Sequence, residues 1–492
     1  MKLEKFIFDI LESPKKSFLV YFIAFILFVL SIMTFPTQII KAKMLPSKNS
    51  DTFSIYVDLK DGSSTHQTKE VTQCIVRNLQ KEQNIINIST FIKEGQPLDF
   101  AALVKQSALK DKESQAEIIV NIKKQKERTI TSYNLVSQLR TKVQTNCSLY
   151  EANIKFIELP AGPPVLASIV TEIYGGNNFE SRKDFALKIA NILKNQTTLV
   201  DIDVLADKDF IMYELELDNS KAIISLVDLE QLKNTLFLAF EGMNIAVVND
   251  KNVQSQIPIF LRLNDSRILK NSSKEELKIK LQNLKIVNNQ GNMINISEFV
   301  KIKEIIKEPT ITSKNLNLLI NVIAETSKDS QIYPLLNARN EMLNTLNNNY
   351  EIIKTNMLNL SFIDKKTKEK FDLIFDGELK VTIDTFIDLG GAFIIALVLI
   401  FFLMVIYYKN FAISGGIVLS SFISIIGVIF AHVIMDLITA DTFYLTATSL
   451  IGFIGLIGIN SRNSTLIIDF SRQLVQEKNL SINEAIAKAT AT

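Results

Sequence analysis

Arg462 stands inside the stretch FYLTATSLIGFIGLIGINSRNSTLIIDF (Phe443 to Phe470), nineteen residues past its start and ten before the next arginine, Arg472. The stretch is long enough to cross a hydrocarbon layer of roughly 30 Å at about 1.5 Å per residue, so a helix here carries a guanidinium into the membrane. That costs roughly 2.5–3.5 kcal/mol on insertion scales and makes Arg462 a functional candidate whose chemistry is ion pairing. Within the chain no partner is evident. The other apolar stretches, Ser17 to Phe35, Leu389 to Tyr408 and Phe411 to Met435, hold no carboxylate, and Asp388 and Asp436 lie at their ends. Asp469 falls on the same helical face seven residues on, but about 10 Å of rise separates the two, and helical side chains lean toward the N-terminus, which takes Arg462 away from it. The spacing predicts a counter-charge on helices outside this chain; the alternative is an arginine that snorkels to the headgroups.

Little else offers chemistry. There is no glycine-rich phosphate loop, no nucleophile elbow and no histidine placed to serve a nucleophile, and Asp376 with Glu378 reads as a solvated turn, so the chain is not expected to be an enzyme. His66 and His432 are the only histidines and the ten methionines are scattered, so neither a metal site nor a cofactor is expected. Cys74 and Cys147, the only cysteines, could form a disulfide in an extracytoplasmic domain, but they are far apart in sequence and the favoured reading is two unpaired thiols. A net charge of +2 argues against a nucleic-acid partner.

The elements that position Arg462 follow from periodicity. Residues 1–16 carry Phe6, Ile7, Ile10 and Leu11 at helical spacing between charges and read as an interfacial amphipathic helix. Residues 17–35 form a retained membrane helix. Lys15 and Lys16 before it place the N-terminus in the cytoplasm, and three further spans within residues 386–470 return the chain there, with Lys409 inside and Asp436 and Asp441 outside. Residues 471–492 are a cytoplasmic amphipathic tail. Between the first and second spans, DTFSIYVDLK, NIINISTFI, AEIIVNIKK and ANIKFIEL alternate as strands with helices in the order βαββαβ, a ferredoxin-like unit over 45–160. The order restarts over 161–225, including FIMYELELD, and closes over 313–385; residues 226–312 are an insertion in this second unit. The fold class is therefore an α+β membrane protein with one plus three transmembrane helices around two ferredoxin-like units. On the last span, Gly452, Gly455 and Gly458 leave a smooth face for close helix packing.

One span, two such units with an insertion, three more spans and the segment TATSLIGFIGLIGINSRNSTLIIDFSRQL together resemble the C-terminal half of a resistance-nodulation-division (RND) efflux permease, over essentially the whole chain. The most specific match is Arg462-Asn463-Ser464 with Asp469-Phe470. The resemblance implies that Arg462, with Asn463 and Asp469, belongs to a proton-relay region facing two membrane aspartates on the first half of the permease. It also implies that the paired units are periplasmic porter subdomains, that the insertion is a docking subdomain, and that the assembly is a homotrimer in the bacterial inner membrane. That trimer works with a periplasmic adaptor and an outer-membrane channel and exports small amphiphilic molecules by proton antiport. Many family members carry Lys where Arg462 stands; an arginine stays protonated, so it is a fixed cation whose pairing changes. The aspartate-bearing half and two expected closing spans are not in the chain, which is read as a fragment or one partner of a split permease. A mechanotransmitting ABC-transporter permease has the same one-plus-three topology and is the alternative.

Overall fold

A computed structural model of the chain describes residues 2–492 apart from 160, 250, 252, 254, 255, 264–273, 328, 329 and 440, and only the backbone at 100, 101 and 149. It forms two compact units, Met1–Lys48 with Pro160–Val204 and Leu319–Thr492, and Asn49–Leu159 with Leu205–Leu318.

In the first unit four helices are long and apolar enough to cross a membrane: Pro14–Met33, Glu378–Tyr408, Phe411–Ile438 and Ala447–Lys478. Their ends are written locally. Pro14 opens the first one, where its missing N–H costs nothing. Asn410 caps the third by accepting from the N–H groups of Ala412 and Ile413, and Thr446 and Ser449 form a capping box on the fourth. The second helix begins at Glu378, eleven residues before the apolar run, so its 31 residues outreach the bilayer. Gly377 makes this entry possible. With φ of 87° it turns the chain from the strand Lys370–Asp376 straight into the helix, and a Cβ there would lie 2.6 Å from the carbonyl oxygen of Ala167. Asp376 and Glu378, read from sequence as a solvated turn, are thus a strand end and a helix start.

The same unit holds a sheet in which Asn317–Thr326, Ile169–Gly175, Lys370–Asp376, Asn359–Asp364 and Tyr350–Thr355 are neighbours in that order, with Leu199–Leu205 on the outer side of Asn317–Thr326. Phe185 of the helix Phe179–Lys194 stacks on Phe371 at 4.4 Å and meets Tyr350 edge-on, which fixes the helix to the hairpin end of the sheet. Tyr350–Thr355 and Asn359–Asp364 are the two strands of a hairpin, and the strand after it, Lys370–Asp376, runs between this hairpin and Ile169–Gly175.

The second unit contains the antiparallel sheet Ile85–Ile92, Gln115–Ile122, Thr52–Asp58, Asn153–Glu158, in that order. Alternation along Thr52–Asp58 sends Phe53, Ile55 and Val57 into a core with Val71, Ile75, Leu135 and Val143 of the helices Thr65–Leu79 and Ser132–Asn146. It sends Tyr56 and Asp58 to the other face, where the connection between the first two strands of that order is pinned by a buried carboxylate. Glu117 accepts from the Gln96 N–H and the Ser107 Oγ, both at 2.8 Å, and Lys110 Nζ lies 3.3 Å away. Burial works to raise the pKa of Asp58, but Lys155 at 2.7 Å and Lys110 outweigh it and hold the carboxyl below the ordinary range. Burial draws the Lys110 ammonium below its ordinary value despite both carboxylates.

Cys74 and Cys147 form a disulfide with Cα atoms 6.1 Å apart, which corrects the expectation of two unpaired thiols. Separation in sequence was a poor guide because the two helices pack side by side, Cys74 sitting on one and Cys147 just past the end of the other. Closing a loop of 73 residues is worth about 4 kcal/mol by chain entropy. Replacing both cysteines by serine is therefore expected to speed amide exchange in Thr65–Leu79 and Ser132–Asn146 by up to about a thousandfold. Unchanged protection would show that the bridge adds no stability.

Ile211–Leu217, expected in the sheet of the second ferredoxin-like unit, instead pairs with Val300–Ile306. Its inward residues Leu215 and Leu217, with Val300 and Ile302, pack on a separate core of Ala222, Leu232, Leu236, Ile296 and Phe299, so the strand shares a core with the region 222–302 and not with that sheet. A hairpin of Met243–Val248 and Ile257–Leu261 leaves every strand residue exposed. The connections into and out of this region meet at Asp207, which accepts from Lys112 Nζ at 2.6 Å and from both the N–H and the hydroxyl of Thr310. Burial opposes ionisation of Asp207, but these donors hold its pKa to about 2.

Candidate functional site on the last membrane helix

The helix Ala447–Lys478 has two faces. Taking about 100° per residue, Phe453, Ile457 and Ser461 lie together and are buried, whereas Gly452, Gly455, Gly458 and Arg462 lie on the other side and are exposed. A Cβ added at any of the three glycines would meet nothing within 4 Å. The smooth face read from the glycine spacing thus leads to Arg462, and no helix among the described residues covers it.

Arg462 has no hydrogen bond or ion pair among the described residues. Asn463 lies one residue round the helix, also exposed. Asp469 is not brought to Arg462. It accepts a hydrogen bond at 3.1 Å from the Tyr407 hydroxyl of Glu378–Tyr408, and Arg472 lies over the neighbouring Tyr408 ring, 4.9 Å from its centre. These contacts tie the C-terminal part of the last helix to Glu378–Tyr408.

Sequence reasoning passed over the polar contacts that seat the buried face. Asn460 Nδ2 donates to Ser420 Oγ at 2.8 Å and to Ser421 Oγ at 3.2 Å, and Ser464 meets Ser420 at 3.4 Å. Thr465 Oγ1, which donates to the Ser461 carbonyl at 2.8 Å, lies 3.7 Å from Met404 Sδ. Nearer the start of the helix, His432 Nε2 is 3.0 Å from Ser449 Oγ and its ring packs 5.2 Å from that of Phe443. The signal for the first group was present: Asn460 to Thr465 is an unbroken run of six polar residues in an apolar helix, beginning two residues after Gly458.

The model of the AcrB/AcrD/AcrF family matches residues 2–492. The chain belongs to that family. It is therefore a member of the RND permeases that the order of its elements resembles, and neither comparison that found a match supports the ABC-type alternative. Two crystal structures of a heavy metal efflux pump share the fold, with TM-scores of 0.68 and 0.69 at 15% identity, each alignment covering 99% of this chain and 45% of the pump. This family member thus spans just under half the length of the pumps it matches. Compared directly with curated protein sequences, it matches none.

Proposed function

We propose that the chain is the C-terminal half of a proton-driven RND permease and supplies the fixed cation of its proton-coupling region. The observation that carries this reading is the exposed face on which Gly452, Gly455, Gly458 and Arg462 lie together, unpaired and uncovered among the described residues. A guanidinium in hydrocarbon needs an anion, and a smooth glycine path beside it lets another helix approach closely enough to bring one. In this reading the aspartates come from the other half of the permease. Arg462 stays charged throughout, Asn463 flanks it, and Asp469 helps hold the cytoplasmic end of the helix through Tyr407.

The sheet order of Asn49–Leu159, with two helices on one face, supports a ferredoxin-like porter subdomain, and the sheet around Ile169–Gly175 supports a second one. The separate core of the inserted region and its exposed apolar hairpin support a docking role toward neighbouring subunits of a trimer and an outer-membrane channel. A disulfide in the first sheet region favours an oxidising compartment, in keeping with a periplasmic location for these parts, an adaptor there and both termini in the cytoplasm. Substrates on this reading are small amphiphilic molecules taken up by shape and apolar contact.

The test is efflux of a cationic amphiphilic dye from cells that supply the rest of the permease together with this chain. Efflux should stop when a protonophore collapses the proton gradient while ATP is held constant. Efflux that survives the protonophore and follows ATP would overturn the reading.

A further inference from the structure

We infer that Asn460 is a positioning residue whose amide sets the rotation at which the last membrane helix presents Arg462. Its consequence for transport rests on the proton-coupling reading above, whereas its geometric part does not.

Asn460 precedes Arg462 by two residues, about 200° around the helix, so the two side chains point to nearly opposite sides. The Asn460 Nδ2 donates to both Ser420 and Ser421 of Phe411–Ile438. Each of those hydroxyls in turn donates its proton to the carbonyl of Ile417, at 2.6 and 3.4 Å, which leaves their oxygen lone pairs free to accept the amide. Both amide hydrogens therefore have partners at this rotation. Ser464, one turn further on, meets Ser420 and keeps the same face turned inward.

Between Ser449, which meets His432 near the start of the helix, and Asn460, the buried face carries less directional information. Ile457 and Phe453 pack by apolar contact, and the Ser461 hydroxyl is spent on the Ile457 carbonyl of its own helix. Apolar surfaces can slip past one another by part of a turn at little cost, because lipid tails are as apolar as the neighbouring helix. An amide cannot, since away from Ser420 and Ser421 it would enter hydrocarbon without acceptors. Turning the helix by one residue step would also carry Arg462 toward Glu378–Tyr408 or Phe411–Ile438, whose membrane stretches hold no carboxylate between Asp388 and Asp436. The amide on one side thus holds the guanidinium out on the other.

The rotation can be read by attaching a nitroxide to a cysteine at 461 or at 462 and measuring oxygen collision rates by power-saturation EPR, with the full chain in lipid vesicles. The native cysteines are joined to each other and do not take the label. Ser461 is 4% exposed while Arg462 is exposed, so the collision rate is expected to be several-fold higher at 462 than at 461. In the Asn460→Leu background, which keeps the volume and removes the amide, the two rates should become equal, and Asn460→Gln should restore the difference. An unchanged difference in Asn460→Leu would overturn the inference. If Asn460→Leu fails to insert, Ser420→Ala with Ser421→Ala removes the same contact from the other side and must produce the same loss of contrast. Should the contrast collapse as expected while Arg462→Ala still pumps in the dye assay, Asn460 would remain a positioning residue and the proton-coupling reading would fall.

Discussion

Arg462→Ala, in cells that supply the rest of the permease, is expected to leave expression and assembly intact and to cut proton-gradient-driven dye efflux by at least about a hundredfold, with Arg462→Lys retaining part of it. The side chain sits on the exposed face of a helix that this chain seats through the opposite face, and none of the described residues pairs with it. Left alone in hydrocarbon it would cost roughly 2.5–3.5 kcal/mol, so its presence is best explained by carboxylates that arrive with another helix. Removing one partner of a buried, ionised pair typically costs about 3–5 kcal/mol, which sets the expected loss. Protonating those carboxylates would release the arginine, whose own charge does not change, and let the helices repack; this is a two-state element of the kind a proton-driven cycle requires. Lysine keeps the charge but not the planar fork, hence the partial activity. Efflux by Arg462→Ala equal to that of the parent would mean that the side chain snorkels to the headgroups and has no part in coupling.

Gly455→Leu should separate folding from assembly. A Cβ at this position meets nothing within 4 Å, so the isolated chain has room for the larger side chain, and leucine is a better helix former than glycine by up to about 1 kcal/mol. The variant chain by itself should therefore be as thermally stable as the parent or slightly more so. In the assembled permease the same side chain would stand between two helices packed at glycine distance, and co-purification with the other half should be lost. Two results would count against this. One is unchanged co-purification, which would mean that the glycine face meets only lipid; the other is a destabilised chain, which would mean that it packs internally.

What the sequence determined by itself was carried in short-range patterns. Four apolar runs located the membrane helices to within a few residues at most ends, because hydrocarbon thickness sets a length that composition must fill. Alternation and helical periodicity located the strands and helices of Asn49–Leu159, since one buried face is enough to impose the period. The cost of a guanidinium in hydrocarbon singled out Arg462, and helical rise alone anticipated that Asp469 would not reach it. Tertiary structure decided everything that depends on which distant segment comes alongside. The pairing of Cys74 with Cys147 needed two helices to pack together; the partner of Ile211–Leu217 lies more than eighty residues away, and its alternating pattern would suit either core. The run Tyr350 to Asp376 became three strands because hairpin register is chosen by the strands on either side of it. Asn460 looked like one polar residue among six until Ser420 and Ser421 were placed opposite it, and only then did the exposed side of the helix become the side of the glycines and Arg462. A side chain's periodicity is a property of its own few turns, whereas its partner is a property of the fold, and in a membrane helix the polar partners select the rotation because apolar contact does not.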